Sequence, residues 1–411
     1  MAVSAPFVII GASLAGVKAA ETLREAGYTG AITLIGDEAE PPYERPPLSK
    51  QYLMGTQERE KMFVHAPEWY PEQNIDLLLG AAVTAIDRER RSLTLADGCG
   101  LGYDKLLMAT GARPRRLTVP GADLPGVHYL RRVEDCERLK DLFQTASRIA
   151  FVGGGWIGLE VAAAAREAGV DATVVEMDAL PLARVLGPEI ARVFADLHRE
   201  HGADLRTGVQ VAEILESGGR AGGVKLADGT VIEADAVVVG VGAAPNTELA
   251  TASGLTVQNG VLVDASLRSS DPHIYAAGDV ANAFHPLLGK HIRVEHWDNA
   301  CHQPKTAARA MLGENAVYDR IPYFFTDQYD LGMEYCGHVE PGGYDEVVVR
   351  GDLAGRKFLA FWLADGRVKA GMNVNVWDVN EQIQQLVRSG GAVDKTKLAD
   401  PDTPLDSLAA L

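Results

Sequence analysis

The chain has 411 residues, of which 47% are hydrophobic and 23% are charged, as in an ordinary globular protein of two or three domains. Its formal net charge of -17 argues against non-specific binding of nucleic acid, which requires a cationic surface. No apolar run reaches the roughly 20 residues that span a bilayer, and the N-terminus lacks the basic start and apolar stretch of a signal peptide. We therefore expect a cytoplasmic protein that does not bind membranes.

The first predicted elements form a β-turn-α-β unit. A strand over Phe7 to Ile10 leads into a glycine-containing turn, and a helix follows from about Leu14 to Ala26. A second strand over Ala31 to Ile35 is followed by Asp37. Glycines in the first turn and an acid after the second strand are typical of units that bind dinucleotides.

The same order of elements recurs near the middle of the chain. A strand over Ile149 to Val152 leads into a second glycine turn, and a helix is predicted from about Ile157 to Ala168. The next strand, Thr173 to Val175, is followed by Glu176. Because a repeat of this kind indicates duplicated units, two copies of one nucleotide-binding plan explain the chain better than one large α/β domain.

Each glycine of such a turn has its own physical role. The first allows the tight turn, the second lets the backbone approach a pyrophosphate, and the third lets helix and strand pack closely. The helix N-terminus then presents free N–H groups and the positive end of the helix dipole to the phosphates. The positions are Gly11, Ser13 and Gly16 in the first turn, where serine replaces the middle glycine, and Gly153, Gly155 and Gly158 in the second.

The acid after the second copy bears on the choice of nicotinamide cofactor. A carboxylate at this place hydrogen-bonds the free 2′-hydroxyl of NADH and repels the 2′-phosphate of NADPH. Met177 and Asp178, which follow Glu176, offer no cation, and Arg184 is the nearest arginine. We therefore expect NADH as the reductant.

The composition changes near Ile321, beyond which the chain is richer in aromatic residues. Alternating apolar residues over 346–349 and 358–363 predict antiparallel strands, and Gln382 to Val387 is predicted to be helical. The last part of the chain is therefore expected to form a third, α+β domain.

Five segments resemble a known family: residues 42–50, 109–114, 156–160, 274–280 and 295–300. They are similar to segments of the ferredoxin reductases of putidaredoxin-reductase and rubredoxin-reductase type, within the pyridine-nucleotide-disulfide-reductase superfamily. The resemblance covers about the whole chain. It implies an α/β fold with two Rossmann-like dinucleotide-binding domains, one for FAD and one for NAD, and a smaller C-terminal α+β domain.

The resemblance also implies domain boundaries and site residues. Lys50 is expected near the flavin N5 and Glu160 where the nicotinamide stacks on the flavin, so these two are the catalytic candidates. Arg45 and Arg132 are expected near the FAD phosphates, and Asp279 near the ribityl chain or pyrophosphate. The FAD domain is expected over 1–113 and 246–320, the NAD domain over 114–245 and the C-terminal domain over 321–411. With the two turns, the further cofactor-binding positions are Ala15, Asp37, Val83, Ala109, Thr110, Gly111, Trp156, Ile157, Glu176, Gly242, Gly278, Glu295, His296 and Trp297.

The cysteines exclude one branch of the superfamily. Disulfide reductases carry a redox-active cysteine pair near the flavin, whereas the corresponding segment in this chain, Pro46 to Lys50, has none. No two of the four cysteines have the C-x-x-C spacing of a redox or metal motif, so no metal site is expected. Electrons are therefore expected to leave the flavin directly. The four are Cys99, Cys136, Cys301 and Cys336.

The function implied by the resemblance is electron transfer from NADH through FAD to a [2Fe–2S] ferredoxin that serves a cytochrome P450 or a Rieske oxygenase. The mechanism expected from this resemblance is hydride transfer to the flavin N5 followed by release of single electrons. A monomer or weak dimer is expected. Two alternatives stay open: an NADH-dependent reductase of quinones, oxygen or other small acceptors, and a non-catalytic interaction protein like the apoptosis-inducing factors. A cluster of arginines suited to steering an acidic ferredoxin comprises Arg113, Arg115, Arg116, Arg131 and Arg132.

Overall fold

The computed structural model describes residues 6–408, and the ends of the predicted FAD and C-terminal domains, residues 1–5 and 409–411, lie outside the described residues. The chain forms two compact units, and the three predicted domain boundaries remain a proposal. The first unit comprises Met1–Arg45, Glu58–Arg113 and Ala244–Arg320, and the second comprises Pro46–Gln57, Pro114–Ala243 and Ile321–Leu411.

Both strands and helices occur throughout the described residues. In chain order, the strands are β1 (Phe7–Ile10), β2 (Ile32–Ile35), β3 (Ile75–Leu78), β4 (Val83–Asp87), β5 (Ser92–Leu95), β6 (Gly100–Gly102), β7 (Lys105–Met108), β8 (Ala112–Pro114), β9 (Val127–His128), β10 (Arg148–Val152), β11 (Asp171–Glu176), β12 (Asp204–Thr207), β13 (Val211–Ser217), β14 (Arg220–Leu226), β15 (Val231–Glu233), β16 (Ala236–Val239), β17 (Ala243–Pro245), β18 (Val261–Val263), β19 (Ile274–Ala276), β20 (Ala281–His285), β21 (Lys290–Arg293), β22 (Tyr323–Gln328), β23 (Leu331–Gly337), β24 (Glu346–Asp352), β25 (Lys357–Ala364) and β26 (Arg367–Val374). The helices are α1 (Leu14–Glu25), α2 (Trp69–Glu72), α3 (Val133–Thr145), α4 (Trp156–Glu167), α5 (Ala183–Glu200), α6 (Glu248–Ala252), α7 (Trp297–Met311), α8 (Asn380–Ser389) and α9 (Lys395–Ala399).

The first unit is built on a sheet of five strands in the order β19-β7-β1-β2-β3. β1 runs parallel to both β2 and β7, and all four of its side chains are buried. Continuous apolar strands of this kind are typical of parallel sheets covered on both faces. Helices α1 and α7 pack against each other, and the antiparallel sheet β4-β5-β6 belongs to the same unit.

The second unit repeats the parallel sheet and adds the C-terminal part of the chain. Its parallel strands have the order β12-β11-β10-β16-β9, and the antiparallel sheet β13-β14-β15 belongs to the same unit. The C-terminal strands form an antiparallel sheet in the order β22-β23-β26-β25-β24, against which α8 packs. The two parallel sheets and the separate antiparallel sheet confirm the predicted fold class.

Several details lay beyond the sequence pattern. Helix α5 was not predicted, because Gly187, with a φ of 75°, and Pro188 interrupt it. Trp362 is fully buried in the C-terminal sheet, and its indole N–H donates to the carbonyl oxygen of Leu186 at 3.1 Å, so much of the aromatic enrichment serves the core.

Among residues 6–408, no helix has the length and apolar character needed to cross a membrane.

Candidate dinucleotide sites

The first glycine turn lies between β1 and α1. Gly11 has a φ of +115°, and a β-carbon there would overlap the carbonyl oxygen of Ala109. A β-carbon at Gly16 would overlap the carbonyl oxygen of Gly11, so packing requires both glycines. Ser13 is the N-cap residue and makes no side-chain capping bond. Because Ser13 does not cap the first N–H groups of α1, the turn fits a phosphate ligand such as the FAD pyrophosphate.

Other predicted FAD residues meet this turn at the same edge of the sheet. Gly278 follows β19, and its N–H donates to Oε1 of Gln303 at 2.7 Å. A β-carbon on Gly278 would lie 3.2 Å from the β-carbon of Ala15. Residues 109–111 continue from β7, which lies between β1 and β19 in the sheet. Parallel α/β sheets bind their ligands at this carboxyl edge.

Asp37, which is predicted to bind the adenosine ribose, and Arg45, which is predicted to contact the FAD phosphates, lie close together in the sequence but have different surroundings. Asp37 follows β2 and is exposed. Arg45 forms an ion pair with Glu38 at 2.6 Å, and its guanidinium lies over the ring of Tyr43. The Tyr43 hydroxyl donates to the same carboxylate at 2.6 Å. The structure therefore places Arg45 against the neighbour of Asp37, and its contact with FAD phosphates stays a prediction.

The remaining predicted residues of the first unit lie either between Asp279 and Trp297 or at Val83. Arg293 pairs with Glu295 and donates to the carbonyl oxygen of Asp279 at 3.2 Å, which links these two predicted segments. His296 is the N-cap residue of α7 and Trp297 is the first residue of that helix. Val83 opens β4 in the antiparallel sheet and is half-buried.

The three glycines of the second turn have different surroundings. A β-carbon at Gly153, whose φ is +104°, would lie 2.5 Å from the carbonyl oxygen of Gly240. A β-carbon at Gly158 would overlap the carbonyl oxygen of Gly153. At Gly155 the nearest atom, again the Gly240 oxygen, would be 3.7 Å away, which is ordinary contact. The fold therefore needs the first and third glycines, whereas the space at Gly155 fits the approach of a ligand pyrophosphate.

Glu176 was predicted to follow the strand and is instead the last residue of β11, where its carboxylate also stabilises the turn. Its Oε2 accepts a hydrogen bond from the Gly154 N–H at 2.6 Å, and its Oε1 accepts one from the Asp178 N–H at 2.7 Å. Arg184 pairs with Asp178 at 2.7 Å and is therefore held by an acid of its own. The carboxylate keeps lone pairs for a ribose hydroxyl, and this ribose contact stays a prediction.

Replacing Glu176 by arginine is expected to raise the ratio of kcat/KM for NADPH to kcat/KM for NADH by at least about tenfold, or ~1.4 kcal/mol. Arginine removes the repulsion of the 2′-phosphate and adds a cation that pairs with it. Because the backbone anchors are lost for both cofactors, the ratio is the informative quantity. Steady-state kinetics with each cofactor measure it, with Glu176→Gln as the matched variant of nearly equal size. An unchanged ratio would contradict the ribose assignment.

Exposed apolar side chains surround the second turn. Ile157 is 48% exposed at the start of α4, and Met177 is 54% exposed just after β11. Val241 is 36% exposed before Gly242, which lies beside the side chain of Arg115. Apolar side chains with a few polar groups are typical of cofactor sites. Together with the space at Gly155, these residues fit NADH.

Two predicted cofactor residues have surroundings that the sequence did not indicate. The ring of Trp156 packs edge-on against Phe194, with centroids 5.6 Å apart, and lies 5.1 Å from the ring of Phe324. Trp156 thus contributes to the packing of α4, and a cofactor contact stays a prediction. Arg132 is the exposed N-cap residue of α3 and lies in the second unit.

The two catalytic candidates form a buried ion pair within the second unit. Lys50 Nζ lies 2.8 Å from Glu160 Oε2, and the two side chains are 10% and 3% exposed. Ser49 Oγ donates to the same oxygen at 2.5 Å, and Thr326 Oγ1 donates to Glu160 Oε1 at 2.6 Å. The ammonium of Lys50 also lies 5.5 Å from the ring centroid of Phe325. The carboxylate is therefore fixed by one cation and two hydroxyls.

Sequence reasoning missed the polar residues that surround this pair. Thr326 and Gln328 lie on β22, which was not predicted as a strand, and both are 1% exposed. The sequence carries no signal for their burial, because the strand turns the polar Thr326 and Gln328 inward while Phe325 and Asp327 are more accessible. Their partner Glu160 lies 166 residues from Thr326 along the chain, so no local pattern links them.

His198 on α5 is expected to make the protein sensitive to acid. The side chain is fully buried, and burial, with a smaller contribution from His201, lowers its pKa to about 4. Since a histidine in the unfolded chain titrates near 6.5, the unfolded state binds more protons below that pH. Stability therefore falls as the pH drops from 6.5 towards 4, by about 2 kcal/mol at pH 5. Unfolding midpoints at pH 7 and pH 5 should differ less for His198→Asn than for the parent, and equal differences would refute the prediction.

No group of three or more His, Cys, Asp or Glu side chains within residues 6–408 is arranged to hold a metal ion.

Arg113, in the first unit, pairs with Glu248 at 2.6 Å. In the second unit, the guanidinium of Arg116 lies 4.8 Å from the ring centroid of Tyr129. Two members of the predicted arginine cluster thus have partners within their own unit.

Comparison with known families assigns both parts of the chain. Residues 5–304 match the pyridine nucleotide-disulphide oxidoreductase family, and residues 323–409 match the C-terminal domain of reductases. Together these matches cover nearly the whole chain, including the aromatic segment that follows Ile321.

Individual relatives are similar to this chain over nearly their whole lengths. Putidaredoxin reductase of Pseudomonas putida is 39% identical over 98% of this chain and 96% of the relative. The ferredoxin–NAD(+) reductase component of the anthranilate 1,2-dioxygenase system of Burkholderia cepacia is 41% identical over 97% of this chain and 98% of the relative. The reductase in the crystal structure of the covalent putidaredoxin reductase–putidaredoxin complex superposes with a TM-score of 0.94 at 38% identity, covering 98% of each chain.

Proposed function

The chain belongs to the pyridine nucleotide-disulphide oxidoreductase family, among the ferredoxin–NAD(+) reductases of putidaredoxin- and rhodocoxin-reductase type, and on that premise we propose that it is an FAD-containing enzyme that passes electrons from NADH to a [2Fe–2S] ferredoxin. That ferredoxin would serve a cytochrome P450 or a dioxygenase, as the relatives' systems indicate. The cytoplasmic location predicted from the sequence is part of the same proposal.

One observation supports the proposed binding of NADH at the second turn. In the second turn, the fold uses Gly153 and Gly158 for its own packing but leaves ordinary contact distance at Gly155. In a dinucleotide-binding turn the middle glycine lets the backbone approach the ligand's pyrophosphate, and Gly155 holds that position. The N-terminus of α4 and the carboxylate of Glu176 lie at this turn, and both suit the pyrophosphate and ribose of NADH.

The cysteines support direct electron transfer from the flavin. The segment that carries the redox thiols in disulfide reductases has Ser49 in this chain, and its hydroxyl is bonded to Glu160. Cys136 and Cys301 are buried, and burial raises the pKa of each thiol to about 12. Cys99 is exposed and lies in the first unit, just before β6. We therefore propose no thiol intermediate.

The protein's own residues then have defined tasks. When bound in the first unit, FAD supplies hydride acceptance and single-electron release. Gly11 and Gly16 would shape the turn that holds FAD, and the N-terminus of α1 would stabilise its phosphates. Lys50 and Glu160 remain the proposed catalytic pair, in which the buried carboxylate holds the ammonium in one place. No general acid or base is needed for hydride transfer itself.

Acceptor assays test this proposal against its alternatives. With saturating NADH, the enzyme is expected to reduce a [2Fe–2S] ferredoxin with a kcat/KM at least about tenfold higher than for small quinones or oxygen. A preference for quinones over every ferredoxin tested would instead support the small-acceptor reductase. A purified protein that binds FAD but oxidises no NADH would support the non-catalytic interaction role, which the net charge of -17 disfavours for nucleic acid.

A further inference from the structure

A buried polar chain extends from Glu160 into the C-terminal sheet and back to α5. Thr326 and Gln328 stand on the same face of β22, since they are two residues apart on a strand. The Gln328 amide nitrogen donates to Thr326 Oγ1 at 3.2 Å, and the Gln328 oxygen lies 2.9 Å from His198 Nε2. His198 Nδ1 lies 3.4 Å from the Tyr329 hydroxyl. All these residues belong to the second unit.

The chemistry of the groups fixes the direction of every hydrogen bond in this chain. A carboxylate only accepts, so the Thr326 hydroxyl must donate its proton to Glu160. Thr326 Oγ1 then accepts from the Gln328 amide, which turns the amide oxygen towards His198. That oxygen requires a proton on His198 Nε2. His198 Nδ1 is then left as the acceptor for the Tyr329 hydroxyl.

The buried position of His198 agrees with this direction. A neutral imidazole has one donor nitrogen and one acceptor nitrogen, as the chain requires. A protonated His198 would carry a second N–H and could not accept from Tyr329. Charged groups lie near both ends of the chain: Lys50 and Asp327 beside Glu160, and Arg166 and Glu167 near Tyr329, on which the ring of His201 also stacks. Every donor from Tyr329 to Thr326 therefore points towards one carboxylate.

We infer that Thr326, supported by Gln328 and His198, is a positioning residue that fixes the Glu160 carboxylate for the nicotinamide end of NADH. The inference rests on the proposed function. Lys50 and Ser49 both contact Oε2, whereas Thr326 is the hydroxyl that contacts Oε1. Thr326 thus sets the rotation of the carboxylate about its last bond. The C-terminal domain thereby contributes to recognition of the reduced nucleotide.

Binding of two ligands distinguishes a specific effect of Thr326 on the nicotinamide end from a general effect on the structure of the site. NAD⁺ has the nicotinamide, whereas ADP-ribose has the same adenosine and pyrophosphate without it. We expect Thr326→Val to weaken binding of NAD⁺ to the holoenzyme by roughly tenfold, about the effect of one charge-assisted hydrogen bond. Binding of ADP-ribose should change by less than about twofold. Isothermal titration calorimetry measures both, and thermal unfolding reports folding.

Three further variants complete the experiment. Thr326→Ser keeps the hydroxyl and should restore NAD⁺ affinity. Gln328→Met leaves the Thr326 hydroxyl without its support and should weaken NAD⁺ by a smaller factor, roughly threefold, which also covers the case in which Thr326→Val does not fold. Thr173→Val, on β11 of the same unit, is the matched control and should leave both affinities unchanged.

Two results would overturn the inference. One is unchanged NAD⁺ affinity in a folded Thr326→Val protein. The other is an equal loss for NAD⁺ and ADP-ribose, which would show a general effect on the turn. A parent protein that binds neither ligand would be a different failure, because it would overturn the proposed function itself and the inference with it.

Discussion

Alanine at Gly155 is expected to lower kcat/KM for NADH by at least about tenfold, or ~1.4 kcal/mol, while the folded protein and its bound flavin are retained. The added β-carbon meets no protein atom closer than 3.7 Å, so it costs the fold little. It does occupy the space that we assign to the pyrophosphate. Steady-state kinetics, the content of bound flavin and thermal unfolding together measure the three parts of this result.

Gly158→Ala is the matched control for that substitution, three residues further along the chain in α4. Its β-carbon would overlap the carbonyl oxygen of Gly153, so the backbone must shift, at a cost of about 1–3 kcal/mol of folding free energy. The control should therefore lower the unfolding temperature, whereas Gly155→Ala should not. If Gly155→Ala has normal NADH kinetics, the turn does not bind the pyrophosphate and the cofactor site must lie elsewhere.

Breaking the buried pair by Glu160→Leu is expected to destabilise the protein by about 3–5 kcal/mol, because Lys50 is left as a buried, unpaired cation. The side chains of the pair are 10% and 3% exposed, so solvent screening is weak. The hydroxyls of Ser49 and Thr326 also lose their acceptor. Denaturant unfolding measures the change in free energy.

The double variant Lys50→Met with Glu160→Leu provides the control. Replacing both partners by apolar residues removes the unpaired charge, so much of the lost stability should return. The double variant should still be impaired in NADH oxidation if the pair is catalytic. A double variant that is no more stable than Glu160→Leu alone would show that the packing around Glu160, rather than its charge, sets the stability.

The parts of the fold that depend on local pattern could be predicted from the sequence. The strand, glycine turn and helix at Gly11 and at Gly153 were predicted because glycine spacing and apolar runs are local signals. The structure confirms these elements, with boundaries that shift by a residue or two at their ends. Helix α5 was missed because Gly187 and Pro188 are both unfavourable inside helices.

The site could be predicted only in part, because its remaining contacts join distant segments. Lys50 and Glu160 were each expected in the site through resemblance, but 110 positions separate them in the sequence, and no pattern predicted that they pair. The two backbone bonds to Glu176 depend on the turn geometry at Gly154 and Asp178. Trp156 was expected at the cofactor, but the packing partner Phe324 lies on β22, far along the chain.

The central claim is that electrons pass from NADH through a bound flavin to a ferredoxin, and an anaerobic titration tests it most directly. The purified protein is titrated with NADH while visible absorbance is recorded, and an oxidised [2Fe–2S] ferredoxin is then added. We predict that the flavin band bleaches with about one equivalent of NADH per flavin, since each is a two-electron carrier, and that it returns as the ferredoxin is reduced. Bleaching without transfer to the ferredoxin would contradict the proposed acceptor, and a protein without a flavin band after reconstitution with FAD would contradict the whole account.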